Sequence, residues 1–243
     1  MHIIAVVSQK GGTGKSTVCA SLAVAASRHG LATLVADTDP QGSLADWSKL
    51  RASKEPMVLA AKARAIHPMR FAAEKAGVQL MVIDTQAASL ACAVEAAKIA
   101  DLTLIVTRPS PVDLRAVAAT VGALKPLRRP CALVLNQAPS KRSGREPVLV
   151  DAAVQLLLDH GLPIVPSALR GRAVYQQAYA RGLSAAELVP EGEAANEICR
   201  LWSYVLGRLF EPARKIAPTV QPPPLSAAFL ARSAPRLHQT PAT

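Results

Sequence analysis

Aromatic side chains are scarce in this sequence. Phe, Trp and Tyr together make up 3% of its 243 residues. Proteins that bind single-stranded nucleic acid stack bases on aromatic rings, so this composition argues against that class. Small aliphatic residues must fill the core instead, because half of all residues are hydrophobic. A chain of this length can bury one substantial core and is expected to form one main domain.

Cysteine is also sparse, which limits metal and redox chemistry. The four cysteines lie far apart and form no CxxC pair, which argues against a zinc or iron–sulfur centre. We interpret them as isolated small apolar residues of the core. They are Cys19, Cys92, Cys131 and Cys199.

Long apolar runs are missing as well. No segment approaches the ~20 residues that a membrane-spanning helix needs. The first apolar run, at 2–7, is short and leads directly into a polar loop, unlike a secretory signal. For the same reason we expect no helix-turn-helix extension before it. These expectations together predict a cytoplasmic protein.

Acidic residues are outnumbered by basic ones. The chain has 28 Lys and Arg against 17 Asp and Glu, a net charge of +11. This excess predicts a polyanionic partner, either nucleic acid or an anionic membrane. The alternative is a basic composition that serves only solubility.

The decapeptide SQKGGTGKST at 8–17 carries the strongest functional signal. Its glycines can adopt backbone angles closed to other residues, so the loop can wrap around an anion with its N–H groups pointing inward. Lys15 supplies a positive charge for the β- and γ-phosphates, and Ser16 supplies a hydroxyl for Mg²⁺, as in a P-loop. A second lysine, Lys10, precedes the first glycine, which an ordinary P-loop does not require.

Strand and helix patterns alternate along the chain. This alternation predicts an α/β fold of the P-loop NTPase type, with a mostly parallel twisted sheet covered by helices on both faces. Ligands then bind at the carboxyl ends of the strands. The predicted strands are 2–7, 31–36, 57–60, 79–83, 102–107, 131–135 and 163–166. The predicted helices are 15–28, 43–51, 66–76, 89–99, 113–124, 148–159, 171–181 and 192–210.

Several motifs together carry a resemblance to a known family. The phosphate loop is followed by DTDPQGS at 37–43 and LMVIDT at 80–85. The combination resembles the deviant Walker A ATPases of the ParA/MinD superfamily, and the second motif points to the ParA side. YQQAYARGLSAAE at 175–187 is similar to the C-terminal part of small partition ParA proteins. The resemblance covers roughly 1–210 and implies an ATPase domain, which we place over 1–212. The composition of 213–243, which is Pro-rich and basic and contains no acidic residue, predicts a disordered tail.

The resemblance implies slow, partner-stimulated ATP hydrolysis with Mg²⁺. Lys10, Lys15 and Asp39 would be catalytic, with Asp39 orienting the attacking water. Lys10 would cross a face-to-face dimer interface and touch the partner's ATP, as an arginine finger does. The metal would be held by Ser16 and, through water, by Asp39 and Asp84. The nucleotide-binding residues would be Lys10, Gly11, Gly12, Thr13, Gly14, Lys15, Ser16, Thr17 and Asn136.

Three of these site residues, Asp84, Asp39 and Asn136, also have a plainer structural interpretation. Asp84 ends an apolar strand and could cap the next helix instead. Asp39 could form only an Asx turn, and Asn136 could be a turn residue rather than an adenine ligand. We expect Asp37 to lie behind these groups, near the metal or Lys15.

One segment departs from the family pattern. Family members usually have Asp-Thr-Pro-Pro at the end of the strand that corresponds to 80–84, whereas this chain has Asp84-Thr85-Gln86-Ala87 there. The switch II segment should therefore be less stiff, and Gln86 adds a polar side chain near the γ-phosphate. Whether Gln86 positions water or is merely tolerated stays open.

The main prediction is a partition ATPase that binds duplex DNA without sequence preference, acts with a ParB-like adaptor and is associated with the nucleoid. A first alternative is a MinD-like membrane switch that uses an apolar stripe on the helix at 196–210. A second is a ParA-like ATPase that positions a non-DNA cargo. The predicted DNA-binding residues are Lys141, Arg142, Arg145, Arg170, Arg172 and Arg181.

Overall fold

The computed structural model describes residues 1–210, and the predicted tail at 213–243 lies outside the described residues. Six strands form one all-parallel sheet in the order β3-β2-β4-β1-β5-β6. The predicted α/β fold is therefore confirmed. The strands are β1 (His2–Val7), β2 (Thr33–Asp37), β3 (Met57–Ala60), β4 (Leu80–Asp84), β5 (Leu102–Thr107) and β6 (Cys131–Leu135).

Helices cover both faces of the sheet. The helices are α1 (Lys15–Arg28), α2 (Ser43–Lys49), α3 (Ile66–Lys75), α4 (Leu90–Ile99), α5 (Pro111–Leu124), α6 (Val148–Leu158), α7 (Ala173–Tyr179), α8 (Ala185–Leu188) and α9 (Glu193–Leu209). Alternate residues of β1 point to opposite faces. Ile3 and Val7 join a core with α4, α5 and α6, whereas Ile4 and Val6 join a second core with α1 and α9.

The strand predicted over 163–166 does not form. Ile164 makes a single parallel bridge to Leu133 of β6. Two hydrogen bonds hold it there, from the Leu133 N–H to the Pro163 carbonyl (2.8 Å) and from the Val165 N–H to the Leu133 carbonyl (2.9 Å). Proline has no N–H to donate, so prolines at both ends of this segment, the second being Pro166, stop the ladder after one bridge.

Helix α9 buries the stripe that the membrane alternative requires. Ile198, Leu201, Trp202 and Val205 are at most 2% exposed and belong to the core that contains α1. Membrane binding through this stripe would remove the helix from the core, so the structure contradicts that use of α9. Within residues 1–210, no helix is long and apolar enough to span a membrane.

A partly buried ion pair connects the end of α2 to the segment around α8. The Arg51 guanidinium donates to both carboxylate oxygens of Glu187 (2.9 and 3.1 Å) and to the Gly182 carbonyl (2.7 Å). It also lies 4.6 Å from the centre of the Trp47 ring, whose indole N–H donates to the Leu183 carbonyl (3.2 Å). We call these five residues the α2 latch.

The α2 latch requires glycine at position 182, which gives a stability prediction. Gly182 has φ +69°, and a Cβ there would lie 2.6 Å from the Leu50 carbonyl carbon. Gly161 has nearly the same φ, +67°, with no atom within 4 Å of such a Cβ. Gly161→Ala should therefore cost only the ~1–2 kcal/mol of a left-handed alanine. Gly182→Ala should cost at least about 2 kcal/mol more, because backbone atoms must move apart.

Urea denaturation of both variants measures this difference directly. Equal free energies of unfolding for Gly161→Ala and Gly182→Ala would contradict the close backbone approach within the latch.

Candidate functional site

Three strands end side by side at the carboxyl edge of the sheet. The register of β4 places Asp84 opposite Val6 of β1 and opposite Asp37 of β2. The loops that follow these strands therefore converge at one point. They are the phosphate loop after β1, the loop at 38–42 after β2, which we call the switch I loop, and the switch II segment at 85–89 after β4.

The phosphate loop has the backbone of an anion cradle. Gly12 and Gly14 have φ +72° and +85°, a region that other residues rarely adopt, and Gly14 immediately precedes α1. The loop thus delivers its N–H groups to the positive end of the helix dipole. Lys15, the first residue of α1, has a side chain that is only 6% exposed. A cation in this position suits the β- and γ-phosphates of a nucleotide.

Ser16 and Asp84 form the part of the site that fits Mg²⁺. The Ser16 hydroxyl donates to Oδ2 of Asp84 (2.6 Å), while Oδ1 is buried with no hydrogen-bond partner in the described residues. A buried orphan carboxylate oxygen is a ligand that a hard cation or its water shell can satisfy. Bound Mg²⁺ would neutralise charge on the phosphates.

Burial strongly perturbs the Asp84 carboxyl group. It raises the pKa to about 7. The Ser16 hydrogen bond and the Lys15 charge oppose this rise, and the charges of Asp37 and Asp39 add to it. Taking a carboxylate out of water disfavours its charged form unless a cation compensates.

Other metal chemistry has little support in residues 1–210. No group of three or more His, Cys, Asp or Glu there could hold an ion. All four cysteines are free, but only Cys19 is fully buried. Cys92 and Cys131 are half-buried, and Cys199 is exposed on α9, so the interpretation of all four as core residues is wrong. Cys199 falls on the face of α9 that points away from the sheet.

Asp37 holds the switch I loop from inside. Its Oδ2 accepts hydrogen bonds from the N–H groups of Leu44 and Ala45 (3.0 Å each), at the start of α2. Its Oδ1 accepts from the N–H of Asp39 (3.2 Å). Asp37 is therefore a buried helix cap that fixes the loop, rather than only a neighbour of the metal.

The predicted catalytic residue Asp39 lies half-buried in this loop. Its Oδ1 accepts from the Gln41 N–H (3.0 Å), so the Asx turn is present. The loop is also tied to the C-terminal half, because the Tyr179 hydroxyl donates to the Ser43 carbonyl (2.8 Å). The role of Asp39 toward water and metal stays a prediction.

Lys10 is exposed beside the phosphate loop and forms no ion pair within residues 1–210. Lys10 lines a water-sized cavity of about 10 Å³ together with Asp113, a buried residue that the sequence analysis did not single out. Asp113 pairs with Arg108 (2.6 Å) and accepts from the Ser110 hydroxyl (2.8 Å). Burial alone would raise the pKa of Asp113, but these contacts hold it below its usual value. The sequence signal for Asp113 was the Ser-Pro-Val-Asp motif at 110–113, where α5 begins.

Asn136 faces the phosphate loop. It is buried, and its Nδ2 donates to the Thr13 carbonyl (2.6 Å). The structure thus brings Asn136 to the predicted nucleotide site, while adenine binding by it stays a prediction. Thr17 lies half-buried in the first turn of α1, and Gly11 is exposed in the loop.

Switch II leaves Gln86 exposed. Ala88 follows with φ +57°, and Ser89 caps α4 by accepting from the Cys92 N–H (3.3 Å). A left-handed alanine is unfavourable, so this segment holds local backbone strain next to the Asp84 strand end. The contribution of Gln86 to hydrolysis stays a prediction.

The predicted DNA-binding residues separate into two groups. Arg142 and Arg145 pair across a tight turn whose central residues, Ser143 and Gly144, have φ +48° and +75°. This type I′ hairpin holds two exposed arginines side by side. Lys141 precedes them and is exposed although it pairs with Glu146 (3.3 Å), and Arg181 is exposed after α7.

Arg170 and Arg172 are committed to internal ion pairs instead. Arg170 is 7% exposed, pairs with Glu146 (2.6 Å) and donates to the Pro139 carbonyl (2.8 Å). Arg172 donates from Nε to Glu197 (2.9 Å) and also pairs with Glu193. Their charges are neutralised locally, which weakens their predicted contact with phosphates.

Sequence comparison identifies relatives over most of the chain. A model of the CobQ/CobB/MinD/ParA nucleotide binding domain matches residues 4–185. Maintenance of carboxysome distribution protein A from Halothiobacillus neapolitanus is 28% identical over 215 residues, covering 84% of this chain and 95% of that protein. The protein of the same description from Gloeobacter kilaueensis is 31% identical over 190 residues, covering 75% of this chain and 83% of that protein.

Solved structures show the same fold. MinD from Pyrococcus horikoshii in complex with Mg-ADP has a TM-score of 0.66 at 21% identity, covering 84% of this chain and 95% of that one. A variant of McdA from Cyanothece in complex with ATP has a TM-score of 0.63 at 15% identity, covering 86% and 96%. These structures share the fold, and the family model over residues 4–185 confirms the predicted resemblance to ParA/MinD ATPases. The two solved structures hold Mg-ADP and ATP, which agrees with the predicted cofactors.

The pKa of Asp84 predicts how stability depends on pH. The ordinary value is 3.8 and the folded value about 7, so between these pH values the folded state binds more protons than the unfolded state. Stability of the nucleotide-free protein should therefore fall as pH rises across this window, by at most a few kcal/mol at ~1.4 kcal/mol per unit. Asp84→Asn cannot ionise and should lack this loss.

Urea midpoints at pH 5 and pH 8, measured with a chelator present, test the prediction. Asp84→Asn should be more stable than the unsubstituted protein at pH 8, with a smaller advantage at pH 5. Parallel pH profiles for the two proteins would show that Asp84 is not the titrating group. Ion-paired carboxyls such as Asp113 and Glu146 have lowered pKa values, so their contribution to stability rises with pH. This contribution is the same in both proteins and cancels when their stabilities are compared.

Proposed function

The chain belongs to the CobQ/CobB/MinD/ParA family of nucleotide-binding domains, and from this premise we propose that it is a ParA-type ATPase that positions a protein-based cargo over nucleoid DNA. The observation that carries the proposal is the pair of relatives described as carboxysome distribution proteins, which match 84% and 75% of the chain. The cargo would be a compartment of that kind, reached through an adaptor protein.

ATP would act as the glue of a face-to-face homodimer. The exposed side chain of Lys10 lies at the carboxyl edge, beside the phosphate loop, and is free of ion pairs within residues 1–210. An uncommitted cation at that position supports contact with the triphosphate of a second protomer. Hydrolysis would remove the charge that Lys10 neutralises and so separate the protomers.

The arginine hairpin at 142–145 would contact DNA. Non-specific binding works by neutralising phosphates and releasing counterions, for which paired exposed arginines are well suited. Lys141 and Arg181 would add to the same cationic surface. The net charge of +11 supports such a partner.

DNA partition is the second candidate function. It is favoured by the DTDPQGS motif and by the resemblance of 175–187 to small partition proteins. Both candidates share ATP-dependent dimerisation and DNA binding, so only the cargo separates them.

Deletion of the gene in its source organism distinguishes the two cargoes. The proposal expects protein compartments, visualised by a fluorescent shell protein, to cluster after deletion, while a reporter plasmid is retained normally. Plasmid loss with evenly distributed compartments would favour partition. Complementation with the unsubstituted gene should restore the distribution.

Substitution of Lys10 tests the dimer. Lys10→Ala should keep monomeric ATP binding but lose ATP-dependent dimerisation, because the charge supplied across the interface is gone. Hydrolysis should fall by about 10³-fold, the lower range for a finger residue. Light scattering and phosphate release are the measurements, with Lys54→Ala, another exposed lysine, as the matched control. Normal dimers from Lys10→Ala would rule out this role.

Substitution of the arginine hairpin tests the DNA surface. The double variant Arg142→Gln/Arg145→Gln should bind random-sequence duplex DNA about 10-fold more weakly with ATP. Its slope of log K against log salt should become shallower by about 2, one for each lost phosphate contact. The control is Arg128→Gln/Arg129→Gln, which removes two exposed arginines just before β6, at the amino edge of the sheet. Equal losses of DNA affinity in both double variants would show that DNA binding depends on the net charge of the chain and not on the hairpin.

A further inference from the structure

Two side-chain amides donate hydrogen bonds to backbone carbonyls of the phosphate loop. Asn136 donates from Nδ2 to the Thr13 carbonyl (2.6 Å). Its neighbour Gln137 donates from Nε2 to the Gly12 carbonyl (2.9 Å). Adjacent residues at the end of β6 thus hold adjacent carbonyls of the loop. The sequence analysis assigned no role to Gln137.

The geometry of the peptide bond gives these hydrogen bonds a consequence. In a planar trans peptide, the carbonyl of one residue and the N–H of the next point in opposite directions. Because the Gly12 carbonyl points toward Gln137, the Thr13 N–H points away from it. The Gly14 N–H likewise points away from Asn136. An anion cradle needs its N–H groups free of such contacts so that they can donate to phosphate oxygens.

The turn that carries the two amides is itself firmly held. Gln137 has φ +52°, a left-handed conformation that is unfavourable for a residue with a side chain. Hydrogen bonds on both sides maintain it, from the Asn136 N–H to the Thr107 carbonyl (2.8 Å) and from the Ala138 N–H to the Leu169 carbonyl (3.0 Å). The strained residue is kept because its surroundings determine its position.

Gly14 shows how closely the turn approaches the loop. A Cβ at Gly14 would lie 2.3 Å from Nδ2 of Asn136 and 3.4 Å from Nε2 of Gln137. The glycine is therefore required both for its positive φ and for the space that the amides occupy.

We propose that Gln137 is a positioning residue for phosphate binding. Its amide sets the orientation of the Gly12–Thr13 peptide, so the cradle is formed before the nucleotide arrives. Gln137 acts through the loop and need not touch the ligand. The inference rests on the proposed function only in requiring that the loop binds a triphosphate.

Inorganic tripolyphosphate with Mg²⁺ isolates the phosphate contacts, because it has no nucleobase. Affinities of the full-length chain for Mg-tripolyphosphate and Mg-ATP are measured by calorimetry. Gln137→Met, nearly isosteric but without a donor, should weaken both by the same factor, about 3- to 10-fold for one lost hydrogen bond. The control Gln155→Met, at an exposed position on α6, should change neither.

Gln137→Gly separates positioning from stability. Glycine favours the left-handed backbone, so this variant should melt at or above the temperature of Gln137→Met. Its affinity for tripolyphosphate should nevertheless be no better than that of Gln137→Met. A purely structural role would instead let affinity follow stability.

Two results would overturn the proposal. Weaker ATP binding with unchanged tripolyphosphate binding would mean that Gln137 contacts the base. Unchanged affinity for both ligands would mean that the hydrogen bond to Gly12 does not shape the cradle. Since these are affinities of the chain for small ligands, they are independent of whether it dimerises, binds DNA or carries cargo.

Discussion

Asp84, whose carboxyl group is buried, contacts both the phosphate-loop helix and the switch I loop. Its Oδ2 accepts from Ser16 at the start of α1, and its backbone carbonyl accepts from both the N–H (2.9 Å) and the hydroxyl (2.6 Å) of Thr38. The phosphate-loop helix and the switch I loop thus meet on one residue of β4. Because burial opposes its ionisation, Asp84 gains most from a nearby cation. A metal bound at the carboxylate would therefore lie on the same residue that contacts both loops.

The basic excess of the chain is unevenly distributed around this site. Arg170 and Arg172 look from the sequence like part of a DNA surface, yet Glu146 and Glu197 neutralise them. Arg170 contacts both sides of the loop that carries the arginine hairpin, through the Pro139 carbonyl and Glu146. Some arginines therefore build the support and others remain free at its tip. A count of charges alone does not distinguish these two uses.

Local patterns predicted most of the fold and the members of the site. The bounds of β1, β3, β5 and β6 and of α1 agree with the structure, because apolar runs and the phosphate-loop glycines determine them locally. The segment 163–166 has the apolar content of a strand, but its two prolines have no N–H groups to donate to β6. This loss matters only if the segment pairs with β6, and the sequence pattern does not show that partner. The short helix α8 has its signal in the Ser184–Glu187 capping box rather than in periodicity.

Orientation within the site was harder to predict than membership. Asp37 was expected near the metal or Lys15, and the structure adds that its carboxylate caps α2. Asn136 was expected to face adenine, which stays a prediction, and the structure adds that its amide holds the phosphate loop. Both outcomes depend on which backbone groups lie nearby after folding. A sequence motif names the residue type, and only the tertiary register decides which partner its polar atoms reach.

The contacts of α2 limit how a signal can leave the nucleotide site. Asp37 ties the start of α2 to the strand ends, and the Arg51–Glu187 pair ties its end to α8. The Arg51 guanidinium in this pair is buried and Glu187 is half-buried. The Tyr179 hydroxyl adds a hydrogen bond from α7 to the Ser43 carbonyl at the start of α2. Both ends of α2 are thus tied to other elements, and any displacement of the switch I loop that moved α2 would have to break these contacts.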